Sequence, residues 1–311
     1  MSAREEDWRT RGRRLPMDDS TPIDPARASR PRAYYELMKP GIAGYVMITT
    51  GVSAYVASHG QVELMSVVHT MLGTGLSTGG ALALNQFVER DYDARMTRTR
   101  DRPIPSGRVT PREGLGWAVV LLAVGLGYLA TASGALPALV AAVSALAYLG
   151  IYTPLKRRSY VATLAGAVPG ALPVLIGWTA VTGSIGPGAL VLFAIAYLWQ
   201  LPHVLGLAWM LRDDYAIVGF KLIPDGGGRE IGRHMVAATA LLVPLSLTPT
   251  LIGLTGPWYL GGALIASAGF LAVAIRAARD MTDTRARALF LASLVYHPVL
   301  LGLMLFNTVG P

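Results

Sequence analysis

The sequence predicts an all-α polytopic membrane helix bundle of about nine transmembrane helices, with its long polar loops on the cytoplasmic side. Three observations carry this. Of 311 residues, 52% are hydrophobic and only 15% charged, against roughly 25% charged in ordinary soluble chains. Mean hydropathy is +0.45, and apolar stretches recur at about 20 residues, the length a helix needs to cross ~30 Å of hydrocarbon. The cations fall on one side of those stretches. A soluble globular enzyme is thereby excluded, and the absence of cysteine excludes disulfides, thiolate catalysis, iron–sulfur clusters and cysteine-ligated zinc.

Taken in order, residues 1–33 are polar, with Arg4, Arg9, Arg11, Arg13, Arg14, Arg27, Arg30 and Arg32 among Pro and Asp. They read as a disordered basic cytoplasmic arm that contacts anionic membrane lipid, with no apolar run long enough for a signal peptide. Residues 34–311 read as one transmembrane domain, with apolar spans near 41–58, 64–84, 114–132, 135–152, 160–182, 187–210, 234–254, 258–275 and 288–308. Gly- and Pro-bearing breaks such as Ser133-Gly134, Gly183-Ser184 and Gly256-Pro257 read as tight turns between spans.

Nine cations lie in the arm through Lys39, seven in 85–113, three at Lys156 to Arg158, four in 212–233 and four in 276–287, which accounts for all 27. Each group sits at the N-terminus or after an even-numbered span. The positive-inside rule therefore places the N-terminus and long loops in the cytoplasm and the C-terminus outside. The same distribution explains the net charge of +8 without nucleic acid.

Only Glu63 of the 19 carboxylates falls on the outer side, so polar chemistry belongs at the inner mouth. In the run Asn85 to Pro103, the residues Asn85, Glu89 and Asp93 are spaced i, i+4, i+8 and share one helical face if span 2 continues through them. Three oxygen ligands in a column suit Mg²⁺, which leaves positions for water and phosphate oxygens. Asp91 lies about 240° round from Asn85 and joins such a site only if the helix unwinds. Arg90, Arg95, Arg98, Arg100 and Arg102 either neutralise these acids or, with a metal, hold a diphosphate.

A second acidic loop, Arg212-Asp213-Asp214-Tyr215, closes span 6, where paired acids oppose the helix dipole unless a cation relieves them. Gly226-Gly227-Gly228 beyond it reads as a hinge. Lys156-Arg157-Arg158 after span 4 is either an interfacial anchor or a further diphosphate contact. No histidine pair has metal-ligand spacing on a helix. His203, after Pro202 in mid-span 6, is a functional candidate because an ionisable residue deep in a bilayer is costly. On an unbroken helix it points the same way as Asp214, about 16 Å distant. His297 reads as structural.

Asp91-Tyr92-Asp93-Ala94-Arg95-Met96 with Arg98-Thr99 and Arg102-Pro103, Tyr152-Thr153 with Leu155-Lys156-Arg157, Gly177 to Gly183, and Leu198-Trp199-Gln200-Leu201-Pro202-His203 with Asp213-Asp214-Tyr215 resemble, in that order, the protoheme IX farnesyltransferase (heme O synthase) family of the UbiA superfamily of intramembrane prenyltransferases. The resemblance implies nine helices around a central cavity in the cell (inner) membrane, Mg²⁺ as cofactor, and farnesyl diphosphate and heme B as substrates. It implies transfer of the farnesyl group to a heme vinyl group with addition of water, giving heme O, and heme A synthase as a partner. By position it assigns catalysis to Asn85, Asp91, Asp93 and Asp214. Metal binding falls to Asn85, Glu89, Asp91, Asp93, Asp213 and Asp214, and substrate binding to Arg98, Arg102, Lys156, Arg157, His203 and Tyr215. Glu89 stands where the family usually has Asp, and Leu201 where it has the first proline of Pro-Pro-His. The alternatives are a UbiA-type enzyme with a quinone-precursor or chlorophyll-like acceptor, and a transporter. A transporter would place ionisable groups mid-span on several helices, whereas nearly all acids here lie in inner loops.

Overall fold

The computed structural model describes residues 30–310, and all regular structure among them is helical. A short helix α1 (Arg30–Leu37) leads into α2 (Pro40–Ala57), α3 (Leu64–Asp93), α4 (Pro111–Ala132) and α5 (Ala135–Leu146). The last continues through a π-helical turn, Ala147–Tyr152, into α6 (Thr153–Leu155). There follow α7 (Val161–Thr182), α8 (Pro187–Met210), the short α9 (Arg212–Ile217), α10 (Gly227–Leu251), α11 (Pro257–Arg279) and α12 (Asp283–Asn307). The expected arm lies outside the described residues except for 30–33, which are already helical, with Ala33 fully buried.

Helix starts follow their sequence signals. Pro at the first turn opens α2, α4, α8 and α11, where its missing N–H costs nothing. Thr110 and Glu113 form a reciprocal capping box that starts α4. Two boundaries differ from expectation. Helix α3 runs on to Asp93, nine residues past its apolar stretch, and α10 begins at Gly227, so the glycine triplet opens a helix instead of forming a hinge. Gly226 N–H donates to Glu230 at 3.0 Å, which seals that start.

Seven of the nine long helices are long and apolar enough to cross a membrane: α4, α5–α6, α7, α8, α10, α11 and α12. The other two, α2 and α3, are diluted by small polar residues turned inward, among them Thr50, Ser53, Thr74 and Ser77. These side chains knit the interior. Thr50 and Ser53 donate to the Pro173 and Val174 carbonyls of α7 at 3.2 and 2.7 Å. Pro173 has no N–H for the Pro169 carbonyl one turn back, and the Ser144 hydroxyl donates to that oxygen instead, at 3.0 Å. Where α3 crosses α4 the backbones nearly touch: a Cβ on Gly125 would stand 2.3 Å from the Ser77 nitrogen, so only glycine fits there.

Successive long helices run antiparallel, so one end of the bundle gathers the N-terminus of α2, the C-termini of α3, α6 and α8, and the loops 94–110, 156–160 and 211–226. Every Lys and Arg among the described residues lies at this end. Between α2, α3, α5, α7, α8 and α12 a cavity of about 550 Å³ opens, lined mainly by apolar side chains.

Candidate active site at the charged end of the bundle

Because α3 stays helical to Asp93, Asn85, Glu89 and Asp93 do form one column, and all three are buried. Each is fixed by a different element. The π-helical turn and the first residue of α6 each bring one group to Asn85. Its amide donates to Thr153 Oγ1 at 3.1 Å, and the Tyr148 hydroxyl donates to its Oδ1 at 3.1 Å. Such extra-residue turns recur at functional sites. Glu89 pairs with Lys156 at 2.7 Å, both buried, and Asp93 pairs with Arg102 at 2.6 Å. The second Asp93 oxygen, Oδ1, is buried with no hydrogen-bond partner.

An orphaned buried carboxylate oxygen beside Asn85 and Glu89 fits a hard cation, and Asn85, Glu89 and Asp93 are the residues that could hold one. Asp91 is not brought to this column. The helix does not unwind, so Asp91 projects outward, its side chain 80% exposed, 3.8 Å from Arg90.

The second acidic loop is used differently from the expectation. Helix α8 ends at Met210 and the chain turns at Leu211 into α9, which breaks the straight line from His203 to Asp214. Asp213 is exposed. Asp214 accepts the backbone N–H groups of Thr97 and Arg98, at 3.2 Å on Oδ1 and 3.1 Å on Oδ2. Both its oxygens therefore clamp the loop after α3, while Asp213 is turned to the exterior. Among the described residues no three His, Cys, Asp or Glu side chains group as a ligand set; the column on α3 has only two acids, completed by an amide.

The cations surround the column. Lys156 lies over the Tyr152 ring at 4.5 Å and that of Phe220 at 5.6 Å. Burial disfavours its charge, but Tyr152, Glu89 and Tyr148 outweigh that and hold its ammonium above the usual lysine range. Arg157 donates to the Tyr92 hydroxyl at 2.8 Å, and exposed Arg98 stands at the rim. Tyr215 packs on Phe220, with ring centres 6.1 Å apart, and burial raises its phenol above the ordinary value. His203 lies deeper, on the cavity wall.

Three residues of the site, Lys39, Tyr148 and Tyr152, were given no role from the sequence. Lys39 holds a left-handed backbone, φ 47°, although Pro40 follows it, a conformation that costs energy and is retained where the surroundings enforce it. Burial first, then Arg102 and Lys156, lower its ammonium to about 7, against the pull of Glu89 and Asp93. A lone cation directly before the first span was its only signal. Tyr148 and Tyr152, stacked with centres 5.6 Å apart, join the polar column to the cavity, which both line.

A paired acid–cation cluster at the mouth of an apolar cavity in a helical membrane bundle is a site for an amphiphile with a charged head. The sequence profile of the UbiA prenyltransferase family matches residues 46–296. This chain belongs to that family. Its members include a "Protoheme IX farnesyltransferase" of Solibacter usitatus, 39% identical over 290 residues, covering 90% of this chain and 99% of the relative. The protein of the same name from Anaeromyxobacter dehalogenans is 41% identical over 278 residues, covering 88% and 94%. Among solved structures, digeranylgeranylglyceryl phosphate synthase superposes with a TM-score of 0.75 at 16% identity, covering 89% of this chain and 98% of that one. A UbiA homolog from Archaeoglobus fulgidus bound to GPP and Mg2+ superposes with a TM-score of 0.58 at 13% identity, covering 88% and 99%. The UbiA fold thus carries the column of α3 and the three basic loops, and the chain is an integral membrane prenyltransferase.

Proposed function

We propose that this protein transfers the farnesyl group of farnesyl diphosphate to a vinyl group of heme B, with addition of water, to give heme O. The observation that carries the reading is the pairing of two unlike compartments. A buried column of Asn85, Glu89 and Asp93 has Lys39, Arg102 and Lys156 around it, and it adjoins, through Tyr148 and Tyr152, a largely apolar cavity of about 550 Å³. The names of relatives about 40% identical over nearly their whole length support heme as the acceptor.

In this reading Lys156, Arg102 and Arg157 exchange their present partners for the diphosphate oxygens, Arg98 joins them from the rim, and the farnesyl chain lies in the cavity. Breaking the allylic C–O bond leaves the electron pair on the diphosphate, where these cations stabilise it. Mg²⁺ at Asn85, Glu89 and Asp93 would neutralise part of the same charge. The cavity wall keeps early water from the allylic cation. The vinyl π pair then forms the new C–C bond, water adds to the resulting cation beside the ring, and its proton is lost to solvent or a base. Asp214 serves as a clamp on the loop that carries Arg98, not as a ligand.

The same reading takes all nine long helices as crossings around the cavity, with the charged end in the cytoplasm of an inner-membrane protein, the C-terminus outside, and heme A synthase as the consumer of the product. Incubating membranes that contain the protein with heme B, farnesyl diphosphate and Mg²⁺ tests it, with heme O followed by mass. Heme O should appear and should fail to form when Mg²⁺ is chelated. Prenylation of a benzoate-type acceptor with heme left untouched would overturn it.

A further inference from the structure

Away from the charged end, the cavity wall stops at Thr49 on α2 and at His297 on α12, and these two residues also line a second, smaller pocket of about 20 Å³. The order of residues along three helices places that pocket directly beyond the cavity. On α2, which starts at the charged end, Val46 lines the cavity and Val52 the pocket. On α12, which also starts there, Leu294 lines the cavity and Leu300 the pocket, and on α8, which ends there, Ala196 lines the cavity and Leu192 the pocket. Thr49 and His297, both buried, are therefore a floor between two largely apolar voids.

The floor is tied together. Thr49 donates its hydroxyl hydrogen to the Tyr45 carbonyl one turn back at 3.0 Å, and the hydroxyl of the same Tyr45 is bonded to His297 Nδ1. Trp199 stacks on the imidazole with centres 4.3 Å apart and planes at 13°, and its own N–H donates to the Ser293 carbonyl at 2.7 Å. The His297 ring cannot swing aside without losing both its hydrogen bond and its stack. Its depth is also defined. Lys39, among the charges of the site, precedes Thr49 by ten residues, or about 15 Å of helical rise. An extended isoprene unit is about as long as one helical turn, ~5 Å, so about three units reach the floor and a fourth meets it.

We propose that the Thr49–His297 floor sets the length of the prenyl chain, with the bulk of His297 as the specificity-determining group that stops it at three isoprene units. This rests on the prenyl chain lying in the cavity, and not on the identity of the acceptor. Removal of the imidazole would join the two voids, and Val52, Leu192 and Leu300 would then receive a fourth unit.

The experiment measures binding of non-hydrolysable farnesyl and geranylgeranyl diphosphate analogues to the purified full chain with Mg²⁺ and no acceptor. The wild-type protein should favour the farnesyl analogue by about tenfold or more, the scale of forcing extra carbons against a packed wall. His297→Ala should cut that ratio about tenfold, by tightening the longer chain. His297→Leu, which keeps the bulk and loses the hydrogen bond, should retain the wild-type ratio, whereas a purely structural role for the Tyr45 contact would move both variants alike. Thr49→Leu, which thickens the floor, should shift preference from the farnesyl toward the shorter geranyl analogue. An unchanged ratio in His297→Ala, or an equal change in His297→Ala and His297→Leu, overturns the proposal. Should His297→Ala not fold, an unchanged farnesyl-to-geranyl ratio in Thr49→Leu overturns it. A wild-type protein that binds both longer chains equally contradicts only the floor, and one that binds neither contradicts the reading of the cavity as a prenyl site.

Discussion

Asp93 is the residue on which the charged site turns. One oxygen holds Arg102 and the other is buried and unpaired, so its charge is the one most exposed to change when an anion and a cation enter together. Asp93→Asn keeps the shape and removes the charge. Turnover should fall by about 100-fold or more, the scale of losing one preorganised electrostatic group, while the variant inserts and keeps its helical circular dichroism. Near-normal turnover would remove Asp93 from the machinery. Lys39 gives a second prediction through its proton. With its ammonium lowered to about 7, it is largely neutral at pH 8, and a bound diphosphate favours the charged form. Binding of a non-hydrolysable farnesyl diphosphate analogue at pH 8 should therefore take up a proton, seen by calorimetry in buffers of different ionisation enthalpy. Lys39→Met should abolish the uptake, and proton release would contradict the assignment.

At the scale of elements, three loops are locked to one another across the charged end. Asp214 of α9 clamps the backbone at Thr97 and Arg98, and Lys221 N–H donates to the Lys156 carbonyl at 2.6 Å. Asp214→Asn leaves one acceptor oxygen for two N–H groups. At this exposed rim the lost hydrogen bond is worth about 1 kcal/mol, so the KM for farnesyl diphosphate should rise about fivefold while the Mg²⁺ concentration for half-maximal rate stays unchanged. A shift in Mg²⁺ dependence would restore Asp214 as a ligand. These locks mark where the sequence stopped being informative. The α3 column was legible because i, i+4 spacing lies within one helix. The clamp, the π-helical turn that brings Tyr148 to Asn85, and the recruitment of Lys39 were not, because each depends on packing between segments distant in the chain. Asp91 was misplaced for a related reason: its neighbours in sequence look like a motif, but the unbroken helix turns it to solvent.

For the whole molecule, the all-helical bundle and the gathering of its cations at one end were legible in the sequence because hydropathy and cation placement repeat at every span, and local errors average out over the chain. The fate of α2 and α3 was less so: their inward Thr and Ser residues lower their hydropathy although both belong to the bundle. The absence of cysteine makes the topology directly testable. Ser106→Cys at the charged end and Ser184→Cys at the other are both exposed positions. In intact cells a membrane-impermeant maleimide should label position 184 and spare position 106, and the reverse pattern would invert the bundle.

In the proposed reaction one cavity farnesylates heme and admits water only after the new C–C bond has formed. Reaction of the purified protein with heme B, farnesyl diphosphate and Mg²⁺ in ¹⁸O-water, followed by mass analysis of the product, tests it most directly. A farnesylated heme carrying one ¹⁸O in its new side chain is the expected product. Farnesol as the main product with heme unmodified, or a prenylated heme without the label, would contradict it.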